Sequence, residues 1–126
     1  MCKYYIKILE ANMNFRNLDG SIEFKDNQLT KKIVFNDEDV LGFVLNLKHG
    51  QTLPAHKHED SSLTLVVLQG SGEVQVEGEI QKINKGSAVL VKGREELGIP
   101  KVDEDLSVFV TLTPKPKNTK FSKEIS

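Results

Sequence analysis

The stretch Gly50-Gln51-Thr52-Leu53-Pro54-Ala55-His56-Lys57-His58, followed by the apolar run Leu63-Thr64-Leu65-Val66-Val67-Leu68 and closed by Gly70, decides how this chain is read. On a strand, positions i and i+2 point to the same side, so His56 and His58 project together with Lys57 opposite. Pro54 has no amide hydrogen to donate and suits a strand entrance. Two imidazoles on one side of a strand can reach one metal ion at about 2.0–2.1 Å. They can equally stand as neutral rings, hydrogen-bonded inside or at the rim of a fold.

Working outward, turn signals punctuate the chain at Asp19-Gly20, Asn36-Asp37, His49-Gly50, Gly70-Ser71-Gly72, Glu77-Gly78, Asn84-Lys85-Gly86, Lys92-Gly93 and Asp103-Glu104-Asp105. Short stretches rich in Val, Ile, Leu and Phe lie between them, the pattern of a β-sandwich or barrel. Several alternate at period two. Phe43, Leu45 and Leu47 share one face, with Val44 and Asn46 opposite. Val74 and Val76 face in while Glu73, Gln75 and Glu77 face out, and Leu106, Val108, Val110 and Leu112 line one side of a later segment. Such alternation marks a half-buried strand. A tight turn is expected at Gly70, in a conformation that glycine adopts most easily.

The 126 residues allow one domain. Charged residues are 28% and balance to a net charge of −1, which excludes a domain-wide basic field for nucleic acid or an anionic membrane. The single cysteine, Cys2, permits no intrachain disulfide and suits a reducing compartment. No apolar run approaches a membrane span, and Glu10 interrupts the start where a signal peptide needs apolar residues. The expectation is a soluble cytoplasmic protein.

The His-x-His stretch resembles the first motif of the cupin family: Gly, five residues, His-x-His, three or four residues, Glu, six residues, Gly. Gly50, His56, His58, Leu63 and Gly70 reproduce every spacing, with leucine in the glutamate's place. The second motif is matched by spacing from Gly86, with Lys92 for proline, Arg94 for glycine, Leu97 for histidine and Lys101 for asparagine. The resemblance covers roughly residues 40–112 and implies an all-β double-stranded β-helix, a jelly-roll barrel, with both histidines facing the lumen. In the family, two histidines and a glutamate of the first motif and a histidine of the second usually hold a metal. Only His56 and His58 carry over; Leu63 and Leu97 offer no lone pair and instead suit a dry cavity.

Within that frame, residues 1–35 are expected to supply strands completing or covering the barrel, 36–113 the barrel, and 114–126 a mobile basic tail. Tyr4-Tyr5-Ile6-Lys7-Ile8-Leu9 reads as either an edge strand or a helical turn. Leu63 to Leu68 and Ala88 to Val91 are apolar on both faces, which points to a homodimer covering the outer face, or else to cover by the N-terminal strands.

The leading functional expectation is a module binding a small molecule in a pocket lined by Phe43, Leu45, Leu63, Leu65, Leu97 and Val108, with His56 and His58 as hydrogen-bonding groups. The alternative is a metal enzyme of the dioxygenase or isomerase class. There His56 and His58 would hold a divalent transition metal (iron, manganese, nickel or zinc), with a third ligand from Asp60 or from Glu95 or Glu96. A third reading is a purely structural barrel with a filled lumen. His49 is expected at the mouth or outside, and Lys92 and Arg94 read as solvated surface.

Overall fold

The computed structural model describes residues 13–126. The ambiguous stretch from Tyr4 to Leu9 lies outside the described residues. Seven strands follow in chain order: β1 (Thr30–Asn36), β2 (Leu41–Leu47), β3 (Leu53–His56), β4 (Ser62–Val76), β5 (Glu79–Asn84), β6 (Ala88–Val91) and β7 (Leu97–Thr113). Every pairing is antiparallel. Among the described residues, no helix is long and apolar enough to cross a membrane.

The two longest strands organise the rest. β4 pairs with β7 from Ser62↔Thr113 at one end to Val76↔Leu97 at the other, through several register shifts. Each shift bends the ladder and sharpens its twist. The first half of β4 carries β6 on its other edge, at Leu63↔Val91 through Val66↔Ala88. Its second half carries β5, through Val76↔Glu79 to Ser71↔Asn84. The late half of β7 pairs with β2, which pairs with β1. The early half of β7 takes β3, at Leu53↔Ile99 and His56↔Leu97. The bent ladder thus feeds two layers, β1-β2-β7-β4-β6 and β3-β7-β4-β5, which is the double-stranded β-helix that the family resemblance implied.

Between the layers the inward residues meet in one cluster. Phe43, Leu45, Leu63, Leu65, Val108 and Val110 come from one layer, and Val74, Ile83, Leu97, Ile99 and Val102 from the other. Each such side chain removed from water stabilises the fold by roughly 2 kcal/mol. Leu106, Val108, Val110 and Leu112 are all buried, as their alternation required. At the β4–β5 hairpin, Glu77 and Gly78 both have positive φ, 50° and 82°. That suits a two-residue turn matching the twist of its strands.

Strand β2 departs from the half-buried pattern, because all seven of its residues are buried. Its outward Asn46 lies in a polar row with Thr30 of β1 and Ser107 of β7. Asn46 Nδ2 donates to Ser21 O at 2.9 Å and to Thr30 Oγ1 at 3.0 Å, while Ser107 Oγ donates to Asn46 Oδ1 at 2.6 Å. Thr30 Oγ1 donates in turn to Glu23 O. The segment around the short 3-10 turn Leu18–Ser21 therefore lies over this row, and the row satisfies backbone carbonyls that its cover would otherwise strand.

On the neighbouring part of the same layer the outer face is open. Val66 is 38% and Leu90 59% exposed, so these two apolar positions have no cover among the described residues.

The C-terminal segment corrects an expectation. Its prolines and lysines suggested a tail that leaves the sheet, yet it returns across one end of the barrel. Lys31 N donates to Ile125 O at 2.7 Å and Ile125 N to Lys31 O at 3.1 Å. Ile33 N donates to Glu124 Oε2 at 2.7 Å. The physical reason lies in Phe121, an apolar residue that finds a partly buried seat at the mouth, and in the backbone pairing of Ile125 with Lys31.

Gly70 lies inside β4 at the bend rather than in a tight turn, with φ of +85°. A Cβ there would stand 2.1 Å from Asp105 O. Gly70→Ala is expected to lower stability by about 3 kcal/mol or more, through the left-handed backbone and the clash together. Urea unfolding checks it; an unchanged midpoint would show that β4 and β7 do not approach this closely.

Candidate functional site

The mouth of the barrel is built where β3 ends. Strand β3 stops at His56, and the chain then turns so that Ser61 N donates to His58 O at 3.0 Å. Gly93 presses on this turn: a Cβ on it would lie 2.8 Å from Ser61 O and 2.9 Å from His58 O. Only a residue without a side chain permits that approach, and the approach holds His58 in place. The two histidines therefore meet, although His58 lies beyond the strand. Their ring centroids are 4.5 Å apart at 58°. Phe121 completes an aromatic cluster, 5.1 Å from His58 and 6.4 Å from His56.

The two rings differ in environment. His56 Nδ1 lies 2.8 Å from Pro54 O. A carbonyl only accepts, so His56 carries a proton on Nδ1. His58 is 4% exposed, and its Nδ1 is buried with no hydrogen-bond partner among the described residues. Burial pushes the His58 imidazole down to about 4, and the nearby charges of His56, Lys31 and Lys120 press the same way. At neutral pH it is an uncharged ring.

Behind the rings lies an apolar cavity of about 320 Å³. Of the expected lining, Phe43, Leu45, Leu63 and Leu97 face it together with His56 and His58. Leu65 and Val108 are fully buried but belong to the packed core instead. Their strands point them inward at a level where the two layers are already in contact. Val110, one step along β7, lines the cavity in place of Val108.

Asp60 does not join the histidines. Its φ of 68° puts it in the turn after His58, so the i+2 relation that it needed is broken. It lines an outer groove with Lys57, Glu59 and Arg94. Glu95 accepts from Lys92 N at 2.8 Å within its own loop, and Glu96 N is held by Glu77 Oε2 at 2.7 Å, so neither glutamate turns into the cavity. His49 is exposed, its Nδ1 2.8 Å from Asp103 O, outside the barrel as expected. Lys92 and Arg94 border an outer groove with Ser61 and Pro114. Among the described residues, no three His, Cys, Asp or Glu side chains gather where they could share a metal ion.

Sequence reasoning missed Lys31, Leu53, Phe121 and Ile125, all of which line the cavity. Lys31 had a signal: on a strand it shares its face with Leu29 and Ile33, both of which pack against the core. A lysine in an apolar row is out of place unless the barrel has a use for it.

A jelly-roll barrel with paired histidines at the mouth of an apolar lumen defines a class, and comparison with known proteins agrees. A family model described as the Cupin domain matches residues 43–110. The chain belongs to the cupin family. It is 26% identical over 87 residues to the pectin degradation protein KdgF of Dickeya dadantii, covering 69% of this chain and 79% of that protein. Among solved structures it resembles an RmlC-like cupin from Desulfovibrio desulfuricans, with a TM-score of 0.75 and 28% identity over 82% of this chain and 98% of that one. It also resembles KdgF from Halomonas sp., with a TM-score of 0.72 and 23% identity over 84% and 96% of the two chains.

The neutral state of His58 has a consequence for acid stability. Its pKa is lower in the folded chain, about 4, than the ordinary 6.5. Below pH 6.5 the unfolded chain binds the extra proton first, so stability falls as pH drops from 6.5 to 4 and this contribution levels off below. The loss amounts to roughly 3 kcal/mol. Comparing denaturant midpoints of the native chain and His58→Phe across that range checks it; parallel profiles would show that His58 is not buried neutral.

Proposed function

We propose that this cupin is a small-molecule-binding barrel whose lumen takes a compact, largely apolar ligand. The observation that carries the reading is the cavity of about 320 Å³, lined mainly by leucine, phenylalanine and proline with three polar side chains at its rim, Lys31, His56 and His58. Small-ligand sites have this form: an apolar body and a few placed polar groups that fix orientation. A filled, purely structural lumen would leave no such space.

The donor set does not suit a resident transition metal. Two imidazoles converge, but Leu63 and Leu97 hold the places of the family's remaining ligands, and the Lys31 ammonium lines the same cavity. Two imidazole donors beside a cation make a weak seat for a divalent ion. We therefore take the metal site as lost in this chain.

The similarity to KdgF favours a second reading, an enzyme of pectin degradation. The apolar lining speaks against it, since a sugar ring leaves hydroxyls that need partners when buried.

Metal analysis of untagged protein purified without chelator, alongside a ligand-observed NMR screen of small organic compounds, tests the reading. Substoichiometric iron, manganese, nickel and zinc are expected, with binders that lose their signal in the cavity-filling variant Val110→Phe. Stoichiometric metal that disappears in His56→Ala would overturn it in favour of the enzyme.

We also propose that a second copy of the chain covers the outer face around Val66 and Leu90. That face carries Thr64, Val66, Ala88, Leu90, Phe109 and Thr111 at paired positions and no charged side chain. Sedimentation is expected to give twice the monomer mass, and Leu90→Lys to give the monomer. A monomeric native chain would remove this proposal.

A further inference from the structure

Lys31 is a charged side chain that the fold does not explain. It lies on β1 with its side chain inward and is 7% exposed. Its Nζ sits 4.3 Å from the centre of the Phe43 ring and donates to Phe121 O. No carboxylate among the described residues forms an ion pair with it. Burial pushes its ammonium down to about 8, with no opposing charge among the described residues to hold it up. A cation that is buried and unpaired costs stability, whereas an apolar side chain of the same length would gain it. The other two polar groups of the cavity are imidazoles, which carry no negative charge to compensate it, and the buried Nδ1 of His58 has no partner among the described residues.

We propose, resting on the small-molecule reading above, that the ligand of this barrel is a monoanionic organic acid, its carboxylate held by Lys31 Nζ and His58 and its hydrocarbon body in the cavity. One fixed positive charge beside the neutral His58 ring matches one negative charge. His58, whose ring lines the same cavity, offers a ring N–H to the second carboxylate oxygen. The Phe43 ring beneath the ammonium and the leucines behind it receive an aromatic or branched aliphatic body. The Phe121 carbonyl holds Lys31 Nζ at the cavity until the acid arrives. A charge-assisted bond of this kind is roughly twice as strong as a neutral one, and stronger still out of water.

Titration calorimetry at pH 7 with phenylacetate and 3-methylbutanoate, and with the isosteric amides of both acids, tests this on the full chain. The acids are expected to bind at least tenfold tighter than their amides. In Lys31→Met that preference falls to about one, while an unchanged circular-dichroism spectrum and cooperative unfolding show the fold intact. Lys31→Met is also expected to unfold at an equal or higher temperature, whereas a lysine kept for structural reasons would leave it less stable. Amides binding as well as acids, or an acid preference that survives Lys31→Met, would overturn the anionic ligand and leave the small-molecule reading standing. Failure of all four compounds to bind, together with an empty wider NMR screen, would overturn both.

Discussion

The structure depends on one ladder, the antiparallel pairing of β4 with β7. It runs from Ser62↔Thr113 to Val76↔Leu97 and bends repeatedly. Straight strands of this length would make a flat two-sided sheet with no interior. Bent, they fold one half of the sheet over the other, and every remaining strand attaches to one of the two halves. The bend requires close backbone approach, so glycines sit at it: a Cβ at Gly70 or Gly72 would strike β7 carbonyls at 2.1 or 2.4 Å. The site shows what the folding-over achieves. Leu63 and Leu97 sit near opposite ends of that ladder, opposite Leu112 and Val76, yet both line one cavity.

At the mouth, low polarity governs the chemistry. With Leu63 and Leu97 lining the same cavity, the imidazoles meet hydrocarbon and each other. Burial then keeps His58 uncharged and lowers Lys31, while His56 is tied to Pro54 through its ring nitrogen. The C-terminal segment adds to this environment. Phe121 packs against both histidines, its carbonyl takes the Lys31 ammonium, and Ile125 bridges to the backbone of Lys31. The same few residues thus close the mouth and set its electrostatics. A ligand that engages Lys31 also bears on how this segment is held.

Much of the barrel was legible along the chain because strand burial repeats every second residue. Leu106 through Leu112 and the inward row Phe43, Leu45, Leu47 could be read directly, and so could the hairpin at Glu77-Gly78. The burial of Asn46 could not, because its cover comes from Ser21 and Glu23, over twenty residues earlier by the chain. The histidine pair was legible as residues in a motif. Its geometry was not: β3 ends at His56, and a turn rather than strand periodicity brings His58 beside it while turning Asp60 away.

The amino-acid sequence alone determined the fold family, since periodicity, turn residues and motif spacing are local properties that survive in one dimension. It also determined that leucines stand at positions 63 and 97, because residue identity needs no coordinates. Only the tertiary structure decided which of the apolar residues line a cavity and which fill the core, and that Lys31 and Phe121 share the mouth with the histidines. Those are matters of depth between two layers and of a returning chain end. Depth arises only when the long ladder bends, and no local pattern records it.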